Sequence, residues 1–165
     1  MSYTSDKINT IVDDLKSLIT ASATALGLNY TGNVWEWDEH PAIPAERGDL
    51  PVAYVIPVME DGDKINMLMG GPESKHEFSL TVVCYYKGTE DSASQIRTDL
   101  RTHRNYAYAF RDIFRYSSKG DMIGSAGTAM AHIKEMKLDF GYWMPPGGTP
   151  VIHFWIAKMK CTTII

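Results

Sequence analysis

The stretch Trp35-Glu36-Trp37-Asp38-Glu39-His40 carries the residue types best suited to acid and base chemistry. On an extended strand Glu36 and Asp38 project from one face about 7 Å apart, a spacing at which two carboxylates can flank a scissile bond. Alternation alone gives the same pattern without catalysis, with tryptophans turned inward and acids in water. A small hydrolase built on this pair would lose activity in Glu36→Gln while keeping its fold. The five histidines, His40, His76, His103, His132 and His153, lack the His-Glu-x-x-His spacing of a zinc helix, and no cysteine pair completes a site.

Cys84 and Cys161 are the only cysteines. Each falls inside an apolar run, where cysteine packs as a small hydrophobe and its thiol is shielded from the groups that activate a nucleophile. Two cysteines are too few for a disulfide framework, which fits a reducing compartment. Gly120, Gly124 and Gly127 lack the lysine and hydroxyl of a phosphate-binding loop, so a turning loop accounts for them. Glu60-Asp61-Gly62-Asp63 is acidic but has no twelve-residue calcium pattern, and reads as a hairpin tip. No catalytic residue, metal site or cofactor is expected.

Two features point instead to surfaces. Arg97, Arg101, Arg104, Arg111 and Arg115 fall on one stripe when wound at 3.6 residues per turn, with no acidic residue in the line. Such a stripe suits a solvated face, acidic residues on a neighbouring subunit, or passing DNA; a nucleic-acid-binding module would show affinity falling steeply with salt. Met67, Leu68 and Met69 before Gly70, and Tyr142, Trp143 and Met144 before Pro145, place apolar side chains where turns are usually polar. Residues of this kind mark contact surfaces or loops folded back over a sheet.

The elements that must position these residues follow from periodicity. Ile8, Ile11, Val12, Leu15, Leu18, Ile19, Ala23 and Leu26 recur at helical spacing, with Ser5 or Asp6 as cap and Gly27 as terminator. Residues 33–38 read as a short strand. The run 51–59 reads as a strand that Pro57 assigns to a sheet edge or bulge, Asp61-Gly62 as its hairpin turn, and residues 65–69 as the returning strand ended by Gly70-Gly71-Pro72. Residues 76–87 form the clearest central strand. A second helix is expected over 92–116, with Asp91 or Ser92 as cap and Ile96, Leu100, His103, Ala107, Phe110 and Phe114 facing inward. Residues 131–142 and 151–163 then read as a long closing hairpin. The expected fold is α+β, a mostly antiparallel sheet with two amphipathic helices packed on one face.

With 165 residues the chain has the size of one domain, able to bury roughly 70% of its unfolded surface. Its 44% hydrophobic and 22% charged residues are ordinary globular values. A net charge of −4 argues against a generally basic, nucleic-acid-gripping surface. The start of the chain lacks a basic region followed by an apolar stretch, and polar residues interrupt the charge-free segment 17–35, so neither secretion nor membrane spanning is expected.

Taken together, the first helix ending Ala25-Leu26-Gly27-Leu28, the strand Leu50-Pro-Val-Ala-Tyr-Val-Ile-Pro57, the central strand from His76 to Lys87, the helix segment from Asn105 to Phe114 and the closing hairpin formed by 137–143 and 151–162 resemble the tail terminator (tail completion, or minor tail) proteins of long-tailed bacteriophages. The resemblance covers nearly the whole chain and rests on layout and size rather than on signature residues. It implies a non-enzymatic virion subunit, assembled in the host bacterial cytoplasm. Such a subunit forms a homo-oligomeric ring, commonly a hexamer, on the tail tube protein and offers a docking face to the head-tail connector protein. DNA would meet it only in passing through the bore, which a mildly acidic chain would not hinder. The same layout suits another head-tail connector or a baseplate adaptor. On this view the Pro57-bearing edge strand and the two apolar turns are contact candidates.

Overall fold

In a computed structural model, the residues described are 4–28, 34–36, 50–57, 64–67, 74–89, 92–115, 121–124, 130–144 and 151–164. The chain runs α1 (Thr4–Ala21), β1 (Val34–Glu36), β2 (Val52–Ile56), β3 (Lys64–Met67), β4 (Ser74–Lys87), α2 (Ala93–Arg115), β5 (Met122–Gly124), β6 (Met130–Trp143) and β7 (Ile152–Ile164). The fold is α+β. Its sheet has the order β1-β2-β4-β7-β6-β5 with β3 also on β4, and all described pairings are antiparallel except that of β1 with β2.

The long alternating strands form the spine. β4 and β7 pair from Lys75 opposite Ile164 to Lys87 opposite Ile152. Period-two alternation puts Phe78, Leu80, Val82, Cys84 and Tyr86 on one face, in register with Cys161, Met159, Ala157, Trp155 and His153. Both helices lie on that face. Ile11, Leu15 and Ile19 of α1 and Ala107, Phe110 and Phe114 of α2 join these strand residues in one buried cluster. α1 touches β5 at one end of the strand order and β1 and β2 at the other, so the sheet curls around it, while α2 covers β6 and β7. The opposite face is aromatic at one end, where Tyr54, Tyr85 and Phe154 line up with ring centroids 6.2 and 6.4 Å apart.

Several expectations need correction. β2 and β3 do not form a hairpin: both pair antiparallel with β4, β2 with its residues 81–85 and β3 with 74–77. They lie in tandem along one edge of β4, whose 14 residues are long enough for both. β2 is not an edge strand either, since β1 flanks it, and Pro57 follows its last residue because proline has no N–H to continue the ladder. Val34 packs against the core because α1 covers that side of β1. Within the glycine-bearing segment 120–127, residues 122–124 form β5, a strand too short for alternation to announce. The acidic 60–63 segment lies outside the described residues.

α1 is shorter than its apolar period. Hydrogen-bonded turns carry the chain on from Ala21, and Ala23 and Leu26 stay in the core. The Leu28 N–H donates to the Ala23 carbonyl at 2.9 Å, across Gly27 with φ of 66°, the bond pattern of a Schellman stop. Tyr86 locks this stop to the sheet. Its hydroxyl donates to the Leu26 carbonyl at 2.7 Å and accepts from the Trp155 indole N–H at 2.8 Å, so a fully buried tryptophan is satisfied inside the core.

Candidate functional site

α2 sets the geometry of the charged surface. The Ser92 hydroxyl accepts from the Gln95 N–H at 3.3 Å, which identifies Ser92 as the cap. Ile96, His103, Ala107, Phe110 and Phe114 are buried, five of the six residues expected to face inward, and Leu100 is half-buried. Arg97, Arg101, Arg104 and Arg115 are consequently exposed on the far side, and Arg111 is half-buried. The arginines are not an isolated line of charge. Arg111 pairs with Asp112 at 2.8 Å and lies 5.0 Å from the Tyr108 ring centroid, while the Arg104 guanidinium sits 5.1 Å from the centroid of Phe140.

Phe140 belongs to a second feature, the far end of β6. Phe140, Tyr142, Trp143 and Met144 are each 37–47% exposed, and Tyr108 on α2 is 40% exposed. Side chains of this size usually drive burial, so their exposure marks this end of β6 as a contact surface, with Phe140 and Tyr142 on the helix side and Trp143 on the opposite face. β6 has a free side here as well. β5 pairs only with Met130–His132, so among the described residues nothing pairs with the outer edge of β6 from Lys134 to Trp143. At its other end this edge borders a cavity of about 340 Å³ between the last turn of α2 and the start of β6, lined by Phe114, Ile133 and Met136 together with charged groups of both signs, among them Arg111, Lys134 and Glu135.

A third cluster lies inside. His153 is fully buried, with its Nε2 3.5 Å from an Asp99 carboxylate oxygen and its ring tilted against His103 at 4.8 Å between centroids. His103 stacks on Tyr86 at 4.5 Å. Burial, reinforced by the neighbouring His153, pushes the His103 pKa down to about 4, and burial also lowers that of His153. Burial would raise Asp99, but hydrogen bonds from Gln95 and Thr89, with His153 nearby, outweigh it and hold its carboxyl below the ordinary value. These groups form an aromatic, largely uncharged joint between α2 and the sheet, with no nucleophile among the described contacts of either imidazole.

The sequence-derived candidates are distributed unevenly. Trp143 and Met144 stand exposed at the end of β6, with Trp143 on the sheet face opposite that of Phe140 and Tyr142. Met67 ends β3, remote in the sheet from β6, and Leu68, Met69, Asp38 and His40 lie outside the described residues. Glu36 ends β1. Cys84 and Cys161 are buried free thiols, raised by desolvation, Cys161 to about 12, which leaves them protonated and inert. Among the described residues no three histidine, cysteine or acidic side chains come together to hold a metal ion. Among the described residues no helix is long and apolar enough to cross a membrane.

Sequence reasoning missed Phe140 and the Asp99–His153 pair. Alternation places Phe140 on the helix side of β6, but only the position of α2 shows that the strand runs out from under its cover. Asp99 and His153 meet through a helix-to-sheet contact that no local spacing encodes. No protein-family model and no curated protein matches the sequence.

Proposed function

We propose that the chain is a structural virion protein, a ring-forming tail terminator that caps the tail tube of a long-tailed phage and joins it to the head connector. The observation that carries the reading is the exposed end of β6, where Phe140, under the Arg104 guanidinium of α2, and Tyr142 lie on the helix side and Trp143 and Met144 follow at the strand's end. Apolar anchors next to guanidinium groups are the composition of a protein-docking surface, since aromatic side chains, methionine and arginine are enriched at interfaces. The layout of a curled antiparallel sheet with two helices on one face supports the same reading through the family likeness in the sequence.

On this reading the chain works by contact: it binds the open end of the tube, stops further subunits from adding, and presents another face to the connector. The test mixes the protein with polymerising tail tube protein and follows tube ends and lengths by electron microscopy. Rings at tube ends and arrested growth are expected, with capping weakened at least tenfold in Trp143→Ser/Met144→Ser. Tubes that grow unchanged, with the chain absent from their ends, would overturn the reading.

A further inference from the structure

The outer edge of β6 carries a pattern that is complementary to itself. Lys137 and Asp139 flank Leu138 on the sheet face away from the helices, with Met136 and Phe140 one step further out on the helix side. An antiparallel strand pair about a twofold axis through Leu138 sets each residue against the one equally far on the other side of Leu138. Lys137 then faces the second copy's Asp139 twice over, Met136 faces the second copy's Phe140 twice over, and Glu135 faces Gly141. No like charges stand directly opposite.

The charges gain from such pairing. Within one chain Lys137 stands in register with Lys158 on β7, and its ion pair with Asp139 spans 3.9 Å between exposed groups. A second Asp139 arriving at Lys137 brings negative charge to a position where two lysines adjoin. On the helix side the same axis carries the second copy's Phe140 and Tyr142 to Met136 and Lys134, which line the 340 Å³ cavity with Phe114 and Ile133. The exposed aromatic end of one strand thus lands on the hollow at the start of the other. Charge antisymmetry and the fit of aromatic end to hollow are separate observations, and they select the same axis.

We infer that the outer edge of β6 docks a second copy of this chain, forming a twofold pair by antiparallel strand addition centred on Leu138. The inference does not rest on the tail-terminator reading. A twofold contact closes on itself at two copies, whereas a ring needs a head-to-tail surface. The pair is therefore a state of the free chain that covers Phe140 and Tyr142 and excludes their use elsewhere while it lasts.

The test uses the whole chain and charge reversal. Lys137→Asp places acid against acid in a pair of identical copies, and Asp139→Lys places lysine against lysine, but an equimolar mixture of the two variants restores every opposite-charge contact. Sedimentation equilibrium should give two copies for the parent chain, at least tenfold weaker association for each variant alone, and recovery in the mixture, with circular dichroism showing unchanged folding. As a second readout, Leu138→Cys should form a disulfide-linked dimer on mild oxidation, because the axis sets the two residues side by side. A monomeric parent, an assembly larger than two, variants that pair as well as the parent, or a mixture that stays monomeric would each overturn the inference. An assembly larger than two would do so while leaving the ring reading intact.

Discussion

His103 lies between the Tyr86 ring and His153, and its pKa of about 4 has a consequence for stability. The unfolded chain takes up a proton on this imidazole near pH 6.5 and the folded chain only near 4. Between those values the unfolded state binds more protons, so stability falls as the pH falls through this window. His153, also lowered by burial, acts in the same direction. Asp99 is held low instead, so its contribution is present above the ordinary carboxylate range and is lost only in more acid solution. Urea midpoints measured from pH 7 to 4 should therefore drop, and His103→Phe should reduce the slope, leaving the part due to His153. A variant with the parent's full slope would remove His103 as its source.

At the scale of elements, the turn after α1 is a tight constraint. Gly27 has φ of 66°, in the left-handed region, and a Cβ there would run into the Tyr106 ring of α2. Gly27→Ala should cost about 1–3 kcal/mol in a chemical denaturation experiment, combining left-handed strain with the displaced ring; a cost below about 0.5 kcal/mol would show that the ring yields freely. Elements with long periods were legible in the sequence. The buried side of α2 follows from its 3.6-residue spacing, Gly27 was marked as a stop, and β4 and β7 announce themselves by alternation over more than ten residues each. Pairing was less legible. Asp61-Gly62 suggested that β2 folds back on β3, but turn chemistry is local, and whether a strand meets its sequence neighbour depends on what else is long enough to pair with it. For the candidate surface, Trp143, Met144 and the arginine stripe were readable as types out of place, whereas the hollow between α2 and β6 exists only once helix and strand are docked.

For the molecule as a whole, α1 ties the two ends of the strand order together. It contacts β5 on one side and β1 and β2 on the other, with Ile11, Leu15 and Ile19 fully buried in the cluster shared with α2. Loosening α1 should therefore weaken the entire sheet rather than one helix. Leu15→Ala is expected to cost about 2–5 kcal/mol, the range for emptying a closed apolar site. The loss should appear in a single transition followed equally by far-ultraviolet circular dichroism and tryptophan fluorescence. Two separated transitions would mean that the helix is an independent appendage.

The bulge in β6 also bears on how the chain can vary. Ile133 pairs with Cys161 and Glu135 with Lys160, so β6 spends one more residue than β7 across this step. Before it the odd-numbered Ala131 and Ile133 face the helices; after it the even-numbered Met136 and Leu138 do. Lys134 is the surplus. A chain lacking it would retain every later partner and every inward side chain, whereas removing one residue between Met136 and Gly141 would flip side chains whether the bulge stayed or straightened, those beyond the gap in the first case and those between the bulge and the gap in the second. On this register Lys134 is the position where the strand can best lose a residue, and a single codon lost there should be less damaging than one lost a few residues on.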